Sequence, residues 1–262
     1  MLYHGSSFLN WYPKIAALPN ISMPKTAILT LTADAIMRLH TDLHAFINQF
    51  DAQITCLLTD FQFPLFIKGD ISSTKHDWKN TCFVPTKDVL YRHIAEIMYR
   101  TELNNMPSEA IIFRELLPLE SPFVFFDGDL PISKERRYFV DQGSVICHHP
   151  YWDLSLFEQR FNQEDYDMHM LQASGVATTY TPKYPVAYRN QIYRWIKQLN
   201  TETEEEITLL TEMATRVSSI MENAWSVDFA CDIYGTWYLI DMGLAKESGH
   251  LSSCPHASQW KR

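Results

Sequence analysis

The fold is decided by residues 227–241, which read VDFACDIYGTWYLID. Apolar runs rich in aromatic and branched residues lie on both sides of the turn-forming residues 232–235, so this stretch predicts a β-hairpin. Each predicted strand carries one acidic residue, Asp228 in the first and Asp241 in the second. A carboxylate in such apolar surroundings is costly unless a cation faces it.

Asp228 and Asp241 stand at corresponding positions of the two predicted strands, which indicates a shared site for a hard cation. Mg²⁺ prefers oxygen ligands and is commonly bound by carboxylates together with phosphates. The alternative is that each aspartate caps a strand end or faces solvent. We interpret Asp232, which lies in the turn, as a turn former.

Composition limits the class of protein. The 262 residues with 46% hydrophobic content are enough for one large domain or two to three lobes. A net charge of −9 without a run of basic residues argues against a nucleic-acid-binding surface. No signal peptide and no membrane span are predicted, so we expect a cytoplasmic protein without a membrane partner. The five scattered cysteines are interpreted as free, buried thiols.

The pattern along the chain predicts an α+β fold with a mainly antiparallel sheet. Helices are predicted over residues 32–50, 86–99, 154–161, 186–199 and 204–224. Strands are predicted over residues 54–58, 64–69, 110–117, 137–140 and 144–147. Residues 1–24 and 174–185 are expected to be loops. No glycine-rich dinucleotide or P-loop motif occurs, which argues against a Rossmann domain.

Lys68 ends a predicted strand and precedes a small polar loop that contains Ser72, Ser73 and Lys75. A lysine beside loop hydroxyls and amides can hold phosphate oxygens. The alternative is a surface lysine whose aliphatic stem covers apolar residues.

The chain leaves its strongest predicted strand through Arg114, Glu115, Leu116 and Leu117. Backbone groups there could meet the edge of an adenine, and the carboxylate could meet a ribose hydroxyl. The alternative is an ordinary strand end with a surface ion pair.

A third candidate is Arg137, which shares one face of a predicted strand with Glu135 and Phe139. An arginine beside the two aspartates would suit a terminal phosphate during transfer, and the alternative is a structural Glu–Arg pair. His148 and His149 are adjacent and therefore point to opposite faces, so we interpret them as structural and not as zinc ligands.

Taken in order, these motifs resemble the ATP-grasp superfamily. The chain is similar to divergent bacterial and phage ATP-grasp proteins and to the eukaryotic cell-division-cycle family that helps assemble a translation initiation factor. The resemblance covers residues 65–249 and implies two α+β lobes with mainly antiparallel sheets that grip ATP and Mg²⁺. The implied layout is an N-terminal region (1–60), a small lobe (61–115), a large lobe with the metal site (116–251) and a tail (252–262).

The resemblance also implies a role for each candidate residue. Lys68 and Arg137 are the implied catalytic residues, and Asp228 and Asp241 are the implied metal ligands. The residues implied in nucleotide binding are Lys68, Ser72, Ser73, Lys75, Arg114, Glu115, Leu116, Leu117 and Arg137. One departure is Gly243, which stands where the family has an asparagine ligand to the metal.

The implied activity is ATP- and Mg²⁺-dependent ligation of a carboxylate to an amine through an acylphosphate, with neither substrate identified. A flexible Tyr-rich loop, residues 180–188, could admit the amine or serve only as a lid. The alternative function is an ATP-binding assembly factor that acts on a protein client without ligation, which Gly243 favours. A third hypothesis is an α+β domain whose acidic pair is structural.

Overall fold

The computed structural model describes residues 4–174, 182–251 and 253–260. The strands in these ranges are β1 (Thr26–Thr30), β2 (Leu65–Gly69), β3 (Phe83–Val84), β4 (Ala110–Glu115), β5 (Phe123–Phe125), β6 (Leu130–Ile132), β7 (Glu135–Asp141), β8 (Ser144–Pro150), β9 (Trp225–Cys231) and β10 (Trp237–Leu244). The helices are α1 (Phe8–Ile15), α2 (Ala33–Thr41), α3 (Leu43–Leu57), α4 (Leu90–Leu103), α5 (Leu154–Ala173), α6 (Val186–Leu199), α7 (Glu204–Ile220) and α8 (Ala257–Trp260).

The first sheet is fully antiparallel and has the order β1-β4-β2-β3. Side chains alternate along β4, so Ile111 and Phe113 lie in a core with α2, α3 and α4, whereas Ala110 and Ile112 lie in a second core. Because the whole of β1 pairs with β4, this sheet includes residues that precede position 61.

The second sheet is also antiparallel and has the order β10-β9-β7-β8. One face of β7, β9 and β10 packs in the second core with α7 and α1. Tyr138, Val227, Phe229 and Leu239 are fully buried there. The predicted hairpins over β7–β8 and β9–β10 are confirmed, and so is the α+β class with antiparallel sheets.

A third core combines buried aromatic side chains of β5 and α5 with buried aliphatic side chains of β6 and α6. Phe125 is fully buried at its centre and stacks on Tyr184 with ring centroids 4.5 Å apart. The predicted helix at 186–199 is confirmed by α6, and the helix predicted at 154–161 extends to Ala173. None of the described helices combines the length and apolar character needed to cross a bilayer.

Three predicted elements near the N-terminus are wrong. The expected loop over residues 1–24 contains α1, whose buried Phe8, Trp11 and Ile15 recur at helical spacing and whose N-terminus is capped by Ser7. The single helix predicted at 32–50 divides at Asp42, whose carboxylate caps α3 by accepting a hydrogen bond from Ala45.

The strand predicted at 54–58 is the last part of α3. Its apolar residues are too few to distinguish a strand from a buried helical turn, and Ile54 continues the buried stripe of that helix. The loop predicted at 174–185 and the Tyr-rich segment at 180–188 fall partly outside the described residues.

Candidate functional site

A central cleft of about 490 Å³ lies between the two four-stranded sheets. Its volume is within the range of small-molecule and cofactor sites. The candidate residues that line it are Lys68, Ser73, Lys75, Arg114, Glu115, Leu116, Leu117, Arg137, Asp228 and Asp241. Ser72 does not line this cleft but faces a neighbouring surface pocket with Thr74 and His76.

Strand alternation in the first sheet aims Lys68 and Arg114 into the central cleft. Leu65 and Ile67 of β2 lie in the core under the helices, so Phe66 and Lys68 emerge on the opposite face. Phe66 is directly opposite Arg114 in the ladder. Lys68 and Arg114 are only 2% and 3% exposed, so both cationic side chains are held in a largely water-excluded place.

In the second sheet, Arg137 and Asp228 are directly opposite each other on β7 and β9. Asp228 is also opposite Asp241 of β10, but only because the ladder is irregular between Leu239 and Asp241. In a regular register Ile240 would occupy the place opposite Asp228. A β-bulge of this kind re-aims side chains, and here it brings the two carboxylates to one site.

Each aspartate faces a cation. The Arg137 guanidinium donates two hydrogen bonds to the Asp228 carboxylate, both with N···O distances of 2.7 Å. The Lys68 ammonium donates to Asp241 at 2.6 Å. Arg114 donates through Nη1 to the carbonyl of the bulged residue Ile240.

These pairs determine the charge states in the cleft. Burial raises the pKa of the Asp241 carboxyl, but the charge and hydrogen bond of Lys68 and the charge of Arg114 outweigh it, so that pKa lies below its ordinary value. Burial lowers the pKa of Arg137, but the charge of Asp228 and its hydrogen bonds raise it by more, so this pKa lies above its ordinary value. Burial lowers the pKa of Arg114 to about 10, which still leaves it charged at neutral pH.

A third ion pair extends the polar end of the cleft. Lys75 Nζ lies 3.6 Å from Glu135 Oε2 and 4.2 Å from the ring centroid of Tyr151. Burial lowers the pKa of Lys75, but Glu135 and Tyr151 reverse this shift and raise it overall. The other Glu135 oxygen accepts a hydrogen bond from Ser133 at 2.6 Å.

Several buried polar atoms in this cleft lack a hydrogen-bond partner among the described residues. They include Nε and Nη2 of Arg114. Glu135 Oε2 also accepts no hydrogen bond, but it lies 3.6 Å from the Lys75 ammonium. Buried donors and acceptors are normally satisfied, so such atoms in a cleft suit a polar ligand.

The other end of the central cleft is apolar. Its walls come from the strand and loop residues Phe66, Trp78, Phe83, Leu116, Leu117, Leu119, Leu130 and Pro131. Glu115 at the rim is exposed, and its carboxylate accepts a hydrogen bond from the Lys25 amide at 2.7 Å. The cleft therefore offers an apolar slot beside three ion pairs.

A second, polar pocket of about 600 Å³ begins on the far side of the acidic pair. Arg137, Asp228 and Asp241 line both cavities, and Gly243 lines the polar pocket. A Cβ atom at Gly243 would lie 3.1 Å from the Ser248 hydroxyl, so the Ser248 side chain would have to move by a few tenths of an ångström to admit it. Gly243 contributes no side-chain ligand to the acidic pair.

Sequence reasoning missed two contributors to the site. Phe8 of α1 lies beneath the cations, with its ring centroid 4.8 Å from the Arg114 guanidinium carbon and 5.9 Å from Lys68 Nζ. The helical spacing of the apolar residues of α1 was the sequence signal that could have predicted this helix and so the burial of Phe8. Tyr151 follows β8, and its ring centroid lies 4.6 Å from the guanidinium carbon of Arg137. No local sequence pattern distinguishes Tyr151 from the neighbouring aromatic residues.

Comparison with solved structures defines the class of fold. The chain aligns with C-terminally truncated Cdc123 from Schizosaccharomyces pombe at 13% identity and a TM-score of 0.54, over 92% of this chain and 84% of that chain. The chain therefore shares its overall fold with Cdc123. No protein-family model matches the chain, and no curated sequence matches it significantly.

Two other solved structures, an ATP-grasp protein and a ligase, align with the chain at lower structural similarity. The RimK domain ATP-grasp protein from Sphaerobacter thermophilus aligns at 11% identity and a TM-score of 0.40, over 92% of this chain and 58% of that chain. The ATP complex of D-alanine–D-alanine ligase from Bacillus anthracis aligns at 13% identity and a TM-score of 0.41, over 89% and 51% of the two chains.

Proposed function

We propose that the protein binds ATP together with Mg²⁺ in the central cleft. The observation that carries this proposal is the division of the cleft into an apolar slot and a charged end that contains Lys68, Lys75, Arg114 and Arg137. An adenine fits the slot between apolar side chains, and a triphosphate needs several cations. The unsatisfied Nε and Nη2 atoms of Arg114 are suitable donors for such a ligand.

The residue roles follow from position in the cleft. Lys68, Lys75 and Ser73 would contact phosphate oxygens, and the segment 114–117 would contact the base and ribose. Ser72 faces another pocket, so a side-chain role for Ser72 would require the loop to move. We retain the division into a small lobe ending at 115 and a large lobe from 116 to 251 as part of this proposal.

Mg²⁺ would be held by Asp228 and Asp241. The fit rests on the donor set, because both are carboxylates on the same cavity wall and hard cations prefer such oxygens. The ion would neutralise phosphate charge. Asp228 is paired with Arg137 and Asp241 with Lys68. Binding of ATP and Mg²⁺ would exchange these partners, and the two cations would turn to phosphate oxygens.

As the activity we propose ligation of a carboxylate to an amine through an acylphosphate. The polar pocket supports this proposal, since a second substrate there would lie against the acidic pair and Arg137. The substrate carboxylate would attack the γ-phosphorus, and ADP would leave. The amine would then displace phosphate from the acylphosphate. Arg137 would position the reacting oxygens and balance their charge.

The alternative is an assembly factor in which ATP sets the conformation that binds a protein client. Gly243 supports this alternative, because it provides no ligand side chain where the resemblance implies one, and its surroundings leave little room for a side chain. The similarity in fold to Cdc123 is compatible with both functions.

Nucleotide binding is tested by thermal unfolding with ATP and Mg²⁺. At free ligand about 100-fold above Kd, the free energy of unfolding should rise by about 2.7 kcal/mol. The Asp241→Asn variant should lose this stabilisation. Lys79→Met is the matched control, because it removes a lysine–carboxylate pair of the same 2.6 Å length outside the cleft. An unchanged wild-type transition at saturating ligand would refute nucleotide binding.

Ligation and assembly are distinguished by ADP production. A ligase should form ADP faster when the correct carboxylate and amine are both present. An assembly factor should bind ATP equally well, while ADP production does not respond to any amine.

A further inference from the structure

We propose a second metal site, separate from the central cleft, in which Cys147, His250 and Cys254 bind Zn²⁺. Cys147 belongs to β8, and the other two residues lie in the C-terminal segment that follows β10. One ligand atom from each of the three residues lies within 4.8 Å of the others. Two thiols and an imidazole are a ligand set that zinc prefers over hard cations.

The distances are close to those of a bound ion. Cys147 Sγ lies 3.2 Å from His250 Nε2. Tetrahedral zinc has bonds of about 2.3 Å to sulfur and about 2.0 Å to nitrogen, which separates neighbouring ligand atoms by about 3.5–4 Å. Small side-chain rotations would therefore convert the existing cluster into a coordination site.

His149 is the candidate for a fourth ligand. It lies two residues after Cys147 on β8 and so projects from the same face of the strand. Its ring centroid is 5.2 Å from that of His250. The side chain is 7% exposed, and its Nε2 atom has no hydrogen-bond partner among the described residues.

The other ring nitrogen of His149 supports this assignment. Nδ1 lies 2.8 Å from the carbonyl oxygen of Pro150, a contact that requires Nδ1 to carry the proton. Nε2 then keeps a lone pair that can bind a metal. Zinc-bound histidines usually have their second ring nitrogen fixed in this way.

The site would fasten the C-terminal segment to the second sheet. The carbonyl of Gly249, next to His250, accepts a hydrogen bond of 3.0 Å from Arg137 Nη1. Ser248 Oγ lies 2.6 Å from Ser226 Oγ on β9. Zinc would bind this segment through His250 and Cys254, just after Gly249. It would thereby stabilise the backbone carbonyl that accepts the hydrogen bond from Arg137. The zinc site does not depend on the proposed nucleotide function.

The cluster has a competing explanation as ordinary packing. His250 stacks on Phe139 with ring centroids 4.2 Å apart, so its position needs no metal. The two thiols could also form a disulfide. Metal titration of the full chain distinguishes these explanations.

The experiment titrates Co²⁺ into the reduced, metal-free full chain and follows its absorbance. Thiolate coordination should give an ultraviolet sulfur-to-cobalt charge-transfer band and the intense visible bands of a tetrahedral ion, and Zn²⁺ should abolish both. Cobalt held only by carboxylates of the cleft gives no sulfur band, so the two sites are distinguishable. Mass spectrometry of the zinc-loaded protein should find about one tightly held ion per chain.

Three variants test the ligands. Cys147→Ser, Cys254→Ser and His250→Asn should each weaken zinc affinity at least about tenfold. Cys56→Ser is the matched control, since Cys56 is exposed and lies on α3; it should bind like the wild type. Circular dichroism of each variant verifies folding.

Several results would overturn the proposal. The first is the absence of a sulfur-to-cobalt band in the reduced wild-type protein at excess Co²⁺. Persistence of that band in both serine variants of the cluster would also overturn it. So would a Cys147–Cys254 disulfide in the isolated protein combined with failure to bind Co²⁺ after reduction.

Discussion

Replacing Asp228 by asparagine removes the charge at the centre of the site and keeps the shape of the side chain. Asp228 is the bidentate partner of Arg137, with two hydrogen bonds of 2.7 Å. The two side chains are 8% and 16% exposed. The Asp228→Asn variant therefore leaves a largely buried guanidinium without its counter-charge.

The expected cost follows from this burial. Breaking one partner of a buried ion pair costs about 3–5 kcal/mol. The lower value applies here, because the asparagine oxygen can still accept one hydrogen bond. Arg137 also keeps its contacts with the carbonyl of Gly249 and the ring of Tyr151. We expect a loss of about 3 kcal/mol in the free energy of unfolding without ligand.

Urea denaturation followed by tryptophan fluorescence and circular dichroism measures this loss. The matched control is Asp165→Asn, because Asp165 forms an equally bidentate pair with Arg189 at 2.7 Å for both bonds. Asp165 is 48% exposed, so solvent screens its pair. The control should lose less than about 1 kcal/mol.

The same two variants test the ligand exchange proposed for the cleft. ATP with Mg²⁺ should stabilise Asp165→Asn as much as the wild type and should no longer stabilise Asp228→Asn. Equal destabilisation by the two substitutions would refute the reasoning from burial. Normal stabilisation of Asp228→Asn by ATP–Mg²⁺ would refute its role as a metal ligand.

Three other predictions concern acid stability, a buried network and a close backbone contact. The pKa of Asp241 is lower in the folded protein than in the unfolded chain. Its stabilisation is therefore complete above the unfolded pKa of about 4 and is lost as pH falls through the lower folded value. Urea titrations should show a difference between the wild type and Asp241→Asn that is constant from neutral pH to about pH 5 and shrinks in stronger acid. Arg136 is fully buried, and its Nε atom lies 2.6 Å from Glu206 Oε1. Arg136→Leu should therefore lower the free energy of unfolding by about 3 kcal/mol, because it removes a buried counter-charge of Glu206. In a double-mutant cycle, the addition of Glu206→Leu should recover part of this loss. A purely additive cycle would contradict that coupling. A Cβ atom at Gly128 would lie 2.3 Å from the backbone nitrogen of Trp78, so Gly128→Ala should lower the free energy of unfolding by about 1–3 kcal/mol in urea. An unchanged midpoint would contradict this close contact.

The hairpin at β9–β10 could be predicted from sequence because two local signals agree there. The strands are apolar, and Asp232 accepts hydrogen bonds from the amides of Tyr234 and Thr236 in the turn, as expected of a turn former. The sequence also predicted that Asp228 and Asp241 lie opposite each other, but it did not predict the β-bulge that places them so. The pairing of Asp228 with Asp241 depends on the bulge at Ile240, and a regular ladder would have turned Asp241 toward the core.

The parts that sequence reasoning missed depend on contacts between distant segments. The position of α1 is fixed partly by Asp70, whose carbonyl accepts a hydrogen bond of 2.7 Å from the Phe8 amide. The cysteines were interpreted as free and buried, yet only Cys82 and Cys231 are buried. The proximity of Cys147 and Cys254 arises from the path of the chain after β10, which spacing along the sequence does not reveal.

The most direct test is a crystal structure with a non-hydrolysable ATP analogue and Mg²⁺. The base should lie against Leu116 and Leu117, and the phosphates should lie beside Lys68 with a metal ion bound by Asp228 and Asp241. The Arg137–Asp228 and Lys68–Asp241 ion pairs should be broken or rearranged. An empty central cleft at saturating analogue, with both ion pairs intact, would contradict the account.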